Sequence, residues 1–363
     1  VLREVNMAGF QLPGVEMTGA ELVAVNLAGA YMAEAKLDGV NLERANMAGA
    51  DLSSAVMRGA TLLGAGCSGA KMAKVDLTGA RVDRSDFSGA DLTEAVVDKI
   101  QGLSTAILSR AVLKGVKMPG FKLAGAQMSK ADLTDCVLTG ATLARAILTG
   151  ANLCNVDLNQ VDLTSANLTR ANLTGAKLTG AKLEKSILTG AVMNSAIMRG
   201  VDMSEFQLVG SLMVSVDLTG AKLTRINLSG ANLERATLDG CDLEGANLTG
   251  AKLKGASLVG ARLKGAGMAG IDLTSARLDK ADLSGATLTK AMIGDASLVG
   301  AALNGAVMSE AYLSGSDLRG AQLAKTNLSA SNLTGADLTG ACLAGALLDR
   351  AVLDAANMTN VEW

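Results

Sequence analysis

The sequence predicts an all-β coil of square section, and three observations carry that prediction. A hydrophobic residue falls at every fifth position, from Leu2, Met7, Leu12 and Met17 to Val97, and again from Leu103 to Met358. The residue two places before it is mostly Ala, as in Ala336-Asp337-Leu338-Thr339-Gly340. Asp, Glu, Lys, Arg, Asn and Thr gather in the second, fourth and fifth places of each unit, with Gly concentrated in the fifth. A period of five fits neither a helix of 3.6 residues per turn nor a strand of strict alternation. A Gly every five or ten residues would also cost a long helix about 0.5 to 1 kcal/mol at each occurrence.

Each slot has its own chemistry. The third holds Leu or Met, with Cys67, Val82, Phe87, Val97 and Ile293 as departures, none of them charged. That slot is expected to be buried throughout. The first slot takes Ala, with Val, Ser, Cys or Ile as substitutes, the pattern of a second inward position too cramped for a long side chain. Two inward points and a corner in five residues make one side of a square coil. The other three slots are expected to face water, with Gly easing the turn. Aromatic residues make up only 2% of the chain, as a narrow core demands, and no apolar run approaches the 18 or so residues of a membrane span.

These units, read as Ala-(Asp/Asn)-Leu-X-X, resemble those of the pentapeptide-repeat family over residues 1–363 apart from one interruption. The resemblance implies a right-handed quadrilateral β-solenoid of four units per coil, hence about 18 coils and, at the ordinary strand spacing, a rod roughly 85 Å long. The family often places Phe in the third slot; here Phe87 is the one case and Met fills in, which suits an irregular interior. The interruption is Asp98-Lys99-Ile100-Gln101-Gly102, where the step from Val97 to Leu103 is six. It is expected to be a bulged corner separating a first solenoid block, 1–97, of about 5 coils from a second, 103–363, of about 13.

If four units make a coil, residues 20 apart stack on one side. The second slot of one side then reads Asp162, Lys182, Asp202, Lys222, Asp242, Arg262, Asp282, an alternating charge ladder that would fix coil register and avoid like-charge stacking. Another side is nearly uncharged: Ile107, Gln127, Ile147, Asn167, Ile187, Gln207, Asn227, Asn247, Gly267, Thr287. Against this polar background Ile187, Val192, Ile197, Val209, Leu212 and Val214 fall in outward slots, and Phe206 occupies a first slot. Such a cluster is a candidate protein-binding surface. Met292, Val299, Val307 and Tyr312 form a weaker one.

Catalysis finds no foothold: there is no His, no activated nucleophile, and no phosphate-cradling glycine motif, because the glycines follow the repeat. No cofactor or metal site is expected. The charge balance, 33 basic against 35 acidic residues, supplies no field to steer nucleic acid. The reading is a structural, protein-binding scaffold or spacer, a subunit of a larger assembly with unnamed protein partners. The resemblance offers an alternative, a DNA-mimicking binder of a type II topoisomerase, but that role goes with acidic faces, which the alternating charges do not give. Ice binding is a third idea, opposed by the interrupted Thr columns. Cys67, Cys136 and Cys241 fall in inward slots, while Cys154 and Cys342 face outward several coils apart, which points to a reducing compartment. The chain begins on Val in mid-repeat with no leader-like stretch, and its compartment is otherwise open. The N-terminal coil is expected to be covered by a partner, by further sequence or by another copy of the chain stacked end to end, and Trp363, in a third slot, is large enough to lie over the last coil.

Overall fold

The computed structural model describes residues 1–363, which form two compact units, Val1–Ala191 and Val192–Trp363. In both, single parallel β-bridges join the second-slot residue to the one 20 positions on. Asn6, Asn26 and Asn46 form such a column in the first unit, and Leu212, Asn232 and Lys252 in the second. A coil is therefore 20 residues, four pentapeptides, with a turn at the fourth and fifth slots of each.

Four of the five slots have a fixed use for the backbone donor. The third-slot N–H donates to the second-slot carbonyl of the following coil (Leu42 to Thr61, 2.7 Å; Leu263 to Asp282, 2.7 Å). The fifth-slot N–H donates to the fourth-slot carbonyl of that coil (Lys74 to Thr93, 2.8 Å; Gly240 to Val259, 2.9 Å). The second-slot N–H reaches back to the preceding coil (Asp51 to Ala30, 2.8 Å; Asp282 to Ala261, 2.9 Å), and the first-slot N–H closes the turn behind it (Ala55 to Leu52, 3.0 Å). Where the second slot is Asp or Asn, its side chain commonly accepts the fourth-slot N–H two residues on, as Asp76 does from Thr78 at 3.0 Å and Asn247 from Thr249 at 3.1 Å. Buried backbone polar groups cost free energy unless paired, and this repeating scheme pairs most of them from coil to coil.

Third-slot and first-slot side chains fill the interior, with Leu42, Met57, Leu168, Leu228 and Leu273 buried beside Ala50, Ala166 and Ala276. Each buried Leu or Met contributes about 1.5 to 3 kcal/mol relative to exposure. Several polar residues in the first slot make a bond there: Ser85 Oγ donates to the Leu62 carbonyl at 2.6 Å, Cys136 Sγ to Leu113 and Cys241 Sγ to Leu218 at 2.9 Å, and Thr326 Oγ1 to Leu303 at 2.7 Å, whereas the buried hydroxyls of Ser186 and Ser211 have no partner. Burial pushes the thiols of Cys67, Cys136 and Cys241 up to about 12.

The outer slots differ from the expectation that all three face water. The second and fourth are mostly half-buried, because the second-slot oxygen is drawn down to cap the turn. The fifth alone is consistently exposed, and it is left-handed whether or not it is Gly: Gly340 has φ 66°, Arg44 56° and Lys290 59°. Side chains other than Gly accept that strain at about 1 kcal/mol or more each. Trp363 is 71% exposed; Leu343, 20 residues before it in the same slot, is buried, while Leu348, Leu353 and Met358 are only half-buried.

The break lies inside the first unit. Arg81 still bridges Gln101 at a spacing of 20, whereas Asp86 bridges Ile107 and Asp91 bridges Val112 at 21, so the extra residue enters just after Gln101. Gly102 takes φ 83° there. Thr105 locks the widened corner: its N–H and hydroxyl both donate to the Gly102 carbonyl, at 3.0 and 2.9 Å, and its Oγ1 accepts from the Arg84 N–H at 3.2 Å.

Candidate functional site

The apolar cluster is divided between the units. Ile187 belongs to the first, where it is 47% exposed and bridges Asn167. The other six belong to the second. Val192 bridges Leu212 and Ile197 bridges Asp217, so Val192 and Leu212 are neighbours on one side of adjacent coils. Val209 is 63% exposed and Leu212 46%, while Val192, Ile197, Phe206 and Val214 are half-buried. The backbone beneath is regular: the Met193 N–H donates to the Leu212 carbonyl at 2.8 Å, and Asn194 Oδ1 accepts from the Val214 N–H at 2.9 Å. Phe206 is too large for a first slot and reaches the surface, yet its carbonyl still accepts from the Asn227 N–H at 2.8 Å. The patch is thus apolar side chains on an intact ladder. The weaker cluster also lies in the second unit, with Met292 bridging an exposed Tyr312.

In the charge column, Asp162 bridges Lys182 in the first unit, and Asp202, Lys222, Asp242, Arg262 and Asp282 follow in succession in the second. Of these neighbours only Arg262 and Asp242, in the second unit, close an ion pair, at 3.3 Å, and Arg262 also reaches Glu244 at 3.1 Å. The carboxylates have prior partners. Asp162 accepts the Thr164 N–H at 2.9 Å, Asp202 the Ser204 N–H at 3.0 Å and Asp282 the Ser284 N–H at 3.0 Å. The hydrogen bonds from Thr164, and after them the Lys182 charge, hold the Asp162 carboxyl below its usual range. Sequence reasoning missed this capping role, although its signal, Asp or Asn followed two places later by Thr or Ser, recurs along the chain.

Elsewhere, Asn227 Nδ2 donates to Gln207 Oε1 at 2.9 Å on the uncharged side of the second unit. Cys154 and Cys342 are half-buried and free. No three His, Cys, Asp or Glu side chains converge in a way that could hold a metal ion, and no helix is long and apolar enough to cross a membrane.

The family model for pentapeptide repeats matches residues 26–64 and 70–98 and, in overlapping stretches, 106–362. The chain belongs to the pentapeptide-repeat family. Its coil is accordingly the right-handed quadrilateral β-solenoid of that family, and the unmatched residues 99–105 are those around the extra residue at Gly102. Three solved structures are among those the chain resembles. The pentapeptide repeat protein Rfr23 from the cyanobacterium Cyanothece 51142 is 20% identical over 38% of this chain and 89% of its own, with a TM-score of 0.28. Trypsin-treated QnrB1, a plasmid-mediated fluoroquinolone resistance protein, is 20% identical over 57% and 86%, with a TM-score of 0.33. A pentapeptide-repeat protein from the Arabidopsis thaliana thylakoid lumen is 35% identical over 30% and 69%, with a TM-score of 0.16. Comparison with curated protein sequences yields no match.

Proposed function

We propose that this pentapeptide-repeat protein is a non-catalytic scaffold or spacer, a subunit of a larger assembly, that binds another protein through the apolar patch of its second unit. The observation that carries the reading is the exposure of Val209 and Leu212 beside half-buried Val192, Phe206 and Val214 on an otherwise polar, hydrogen-bonded surface. Contiguous apolar patches on a regular surface mark interaction sites, whereas scattered ones need no partner. Two features support a binding role over chemistry. The chain has no His, and the carboxylates whose titration is displaced, such as Asp76, Asp132 and Asp217, are displaced downward, away from the range of a general acid.

The test is affinity purification of the tagged chain beside its Leu212→Asp, Val214→Asp variant. Co-purifying proteins that vanish with the variant, while its circular dichroism is unchanged, support the patch; the same proteins recovered from both overturn it. A DNA mimic would need a strongly acidic surface, and the formal charge here is −2. Inhibition of purified type II topoisomerase supercoiling by the unmodified chain would overturn the scaffold reading in favour of mimicry.

A further inference from the structure

Within the first unit, the coil-to-coil ladder fails beside the extra residue. Val96 and Gln101 each bridge the coil before, to Asp76 and Arg81, and neither bridges the coil after. Lys117 and Lys122, which should receive them, bridge only onward to Val137 and Thr142. The N–H groups of Val97, Leu103, Lys117 and Lys122, and the carbonyls of Ile100, Lys117 and Lys122, therefore lack the cross-coil partners that their slots have elsewhere. Two successive coils are parted along two adjacent sides, and a cleft opens on each, of about 310 and about 390 Å³.

The larger cleft has a distinct lining. Lys99 and Lys122 stand at its rim, neither forming an ion pair, and no carboxylate lines it. Ile100 and Phe121, both in first slots where Ala is the rule, are half-buried and give it an apolar floor with Leu103. The cleft thus combines free main-chain donors and acceptors, two unneutralised cations and an apolar floor. Strand addition to an open sheet edge uses these elements, main-chain bonds for affinity and side-chain pockets for choice. The volume lies within the range of pockets for short ligands, about 300 to 1,000 Å³.

We propose that this cleft receives a short extended segment of another protein that carries an acidic side chain. The segment's main chain pairs with the free groups at Leu103 and Lys122, its carboxylate meets Lys99 and Lys122, and an apolar neighbour rests on Ile100 and Phe121. Charge complementarity selects the occupant, since a basic or neutral strand would leave both lysines unmatched.

The test uses the full chain and a fluorescein-labelled Thr-Val-Glu-Val-Thr peptide. Fluorescence anisotropy is expected to show saturable binding. Affinity should fall at least about tenfold for Thr-Val-Lys-Val-Thr and for the K99E/K122E variant, whose outward charges leave the fold intact by circular dichroism. Hydrogen exchange should find the Leu103 and Lys122 amides fast in the free chain and slowed at least about tenfold with peptide bound. Peptide binding should survive the Leu212→Asp, Val214→Asp changes, because those lie in the second unit. No saturable binding at millimolar peptide, equal affinity in K99E/K122E, or unprotected amides in the complex would each overturn the proposal. So would dimerisation of the chain that K99E/K122E abolishes, which would make a second copy the occupant.

Discussion

A methyl group on the α-carbon of Gly102 would stand 2.5 Å from the backbone nitrogen of Asp83. Backbone, unlike the tip of a long side chain, has nowhere to go. Gly102→Ala is therefore expected to destabilise the first unit by about 2 kcal/mol or more, combining overpacking with its φ of 83°. Gly340→Ala is the control: its φ is similar at 66° but a Cβ there meets nothing within 4 Å, so strain alone, about 1 kcal/mol, should remain. Thermal unfolding of both variants beside the parent measures the difference, and equal losses would remove the steric explanation.

Leu168→Ala should cost about 2 to 5 kcal/mol in the first unit. Leu168 is fully buried among third-slot Leu and first-slot Ala side chains that a 20-residue hydrogen-bonded coil holds apart. The hole cannot close without breaking ladder bonds. Denaturant titration is the check, and a curve superimposed on the parent's would contradict it.

Acid sensitivity follows from the capping carboxylates. For Asp217, partial burial tends to raise the pKa, but hydrogen bonds from Thr219 and the Arg199 pair at 2.6 Å outweigh it, and the net displacement is downward. Asp76 behaves alike with Thr78 and Arg58. A group lowered on folding stabilises the fold above its unfolded pKa, about 3.9, and loses that contribution as pH falls through the lower folded value. The melting temperature should be level from about pH 8 to 5 and drop below about pH 4. In Asp217→Asn the amide oxygen still caps the turn while the charge is gone, so that variant should show a shallower acid drop.

Arg262→Ala should cost no more than about 1 kcal/mol, since its bonds to Asp242 and Glu244 are exposed to water and salt. Arg262→Asp should cost more than Arg262→Ala, and the excess should shrink in high salt, because it sets like charges between Asp242 and Asp282 in one column. Melting curves at low and high ionic strength separate the two effects.

Thiol labelling should divide the five cysteines. Cys67, Cys136 and Cys241 are buried and hold their protons to about pH 12, so only Cys154 and Cys342 should react in the folded chain, and all five after denaturation. Rapid modification of Cys136 in the native protein would show that its coil opens.

The fold was legible because its signal is repetitive: a five-residue period, with Leu168 and Ala166 placed by slot alone, leaves little for tertiary context to decide. The half-burial of Asp76 was harder to foresee, because polarity reads as solvent exposure until the Thr78 N–H is seen to need an acceptor. The parted ladder at Val96 and Gln101 was less legible still. An insertion of one residue can be absorbed in a turn or passed to the next coil as a gap, and only pairing geometry distinguishes them. Ile100 and Phe121, oversized for their first slots, were the trace it left in the sequence. Exposure of Val209 and Leu212 followed from slot position, whereas no periodicity says what lies over them.

The ladder has a consequence for how such a chain is made. Its hydrogen bonds run from Leu42 to Thr61 or from Asp51 to Ala30, so each is satisfied by residues about one coil away and almost none waits for a distant part of the sequence. Contacts this local favour rapid folding and growth from a single nucleus. As synthesis proceeds from the N-terminus, each new stretch of 20 residues meets a finished edge and adds to it, so pairing need not wait for residues still to be made.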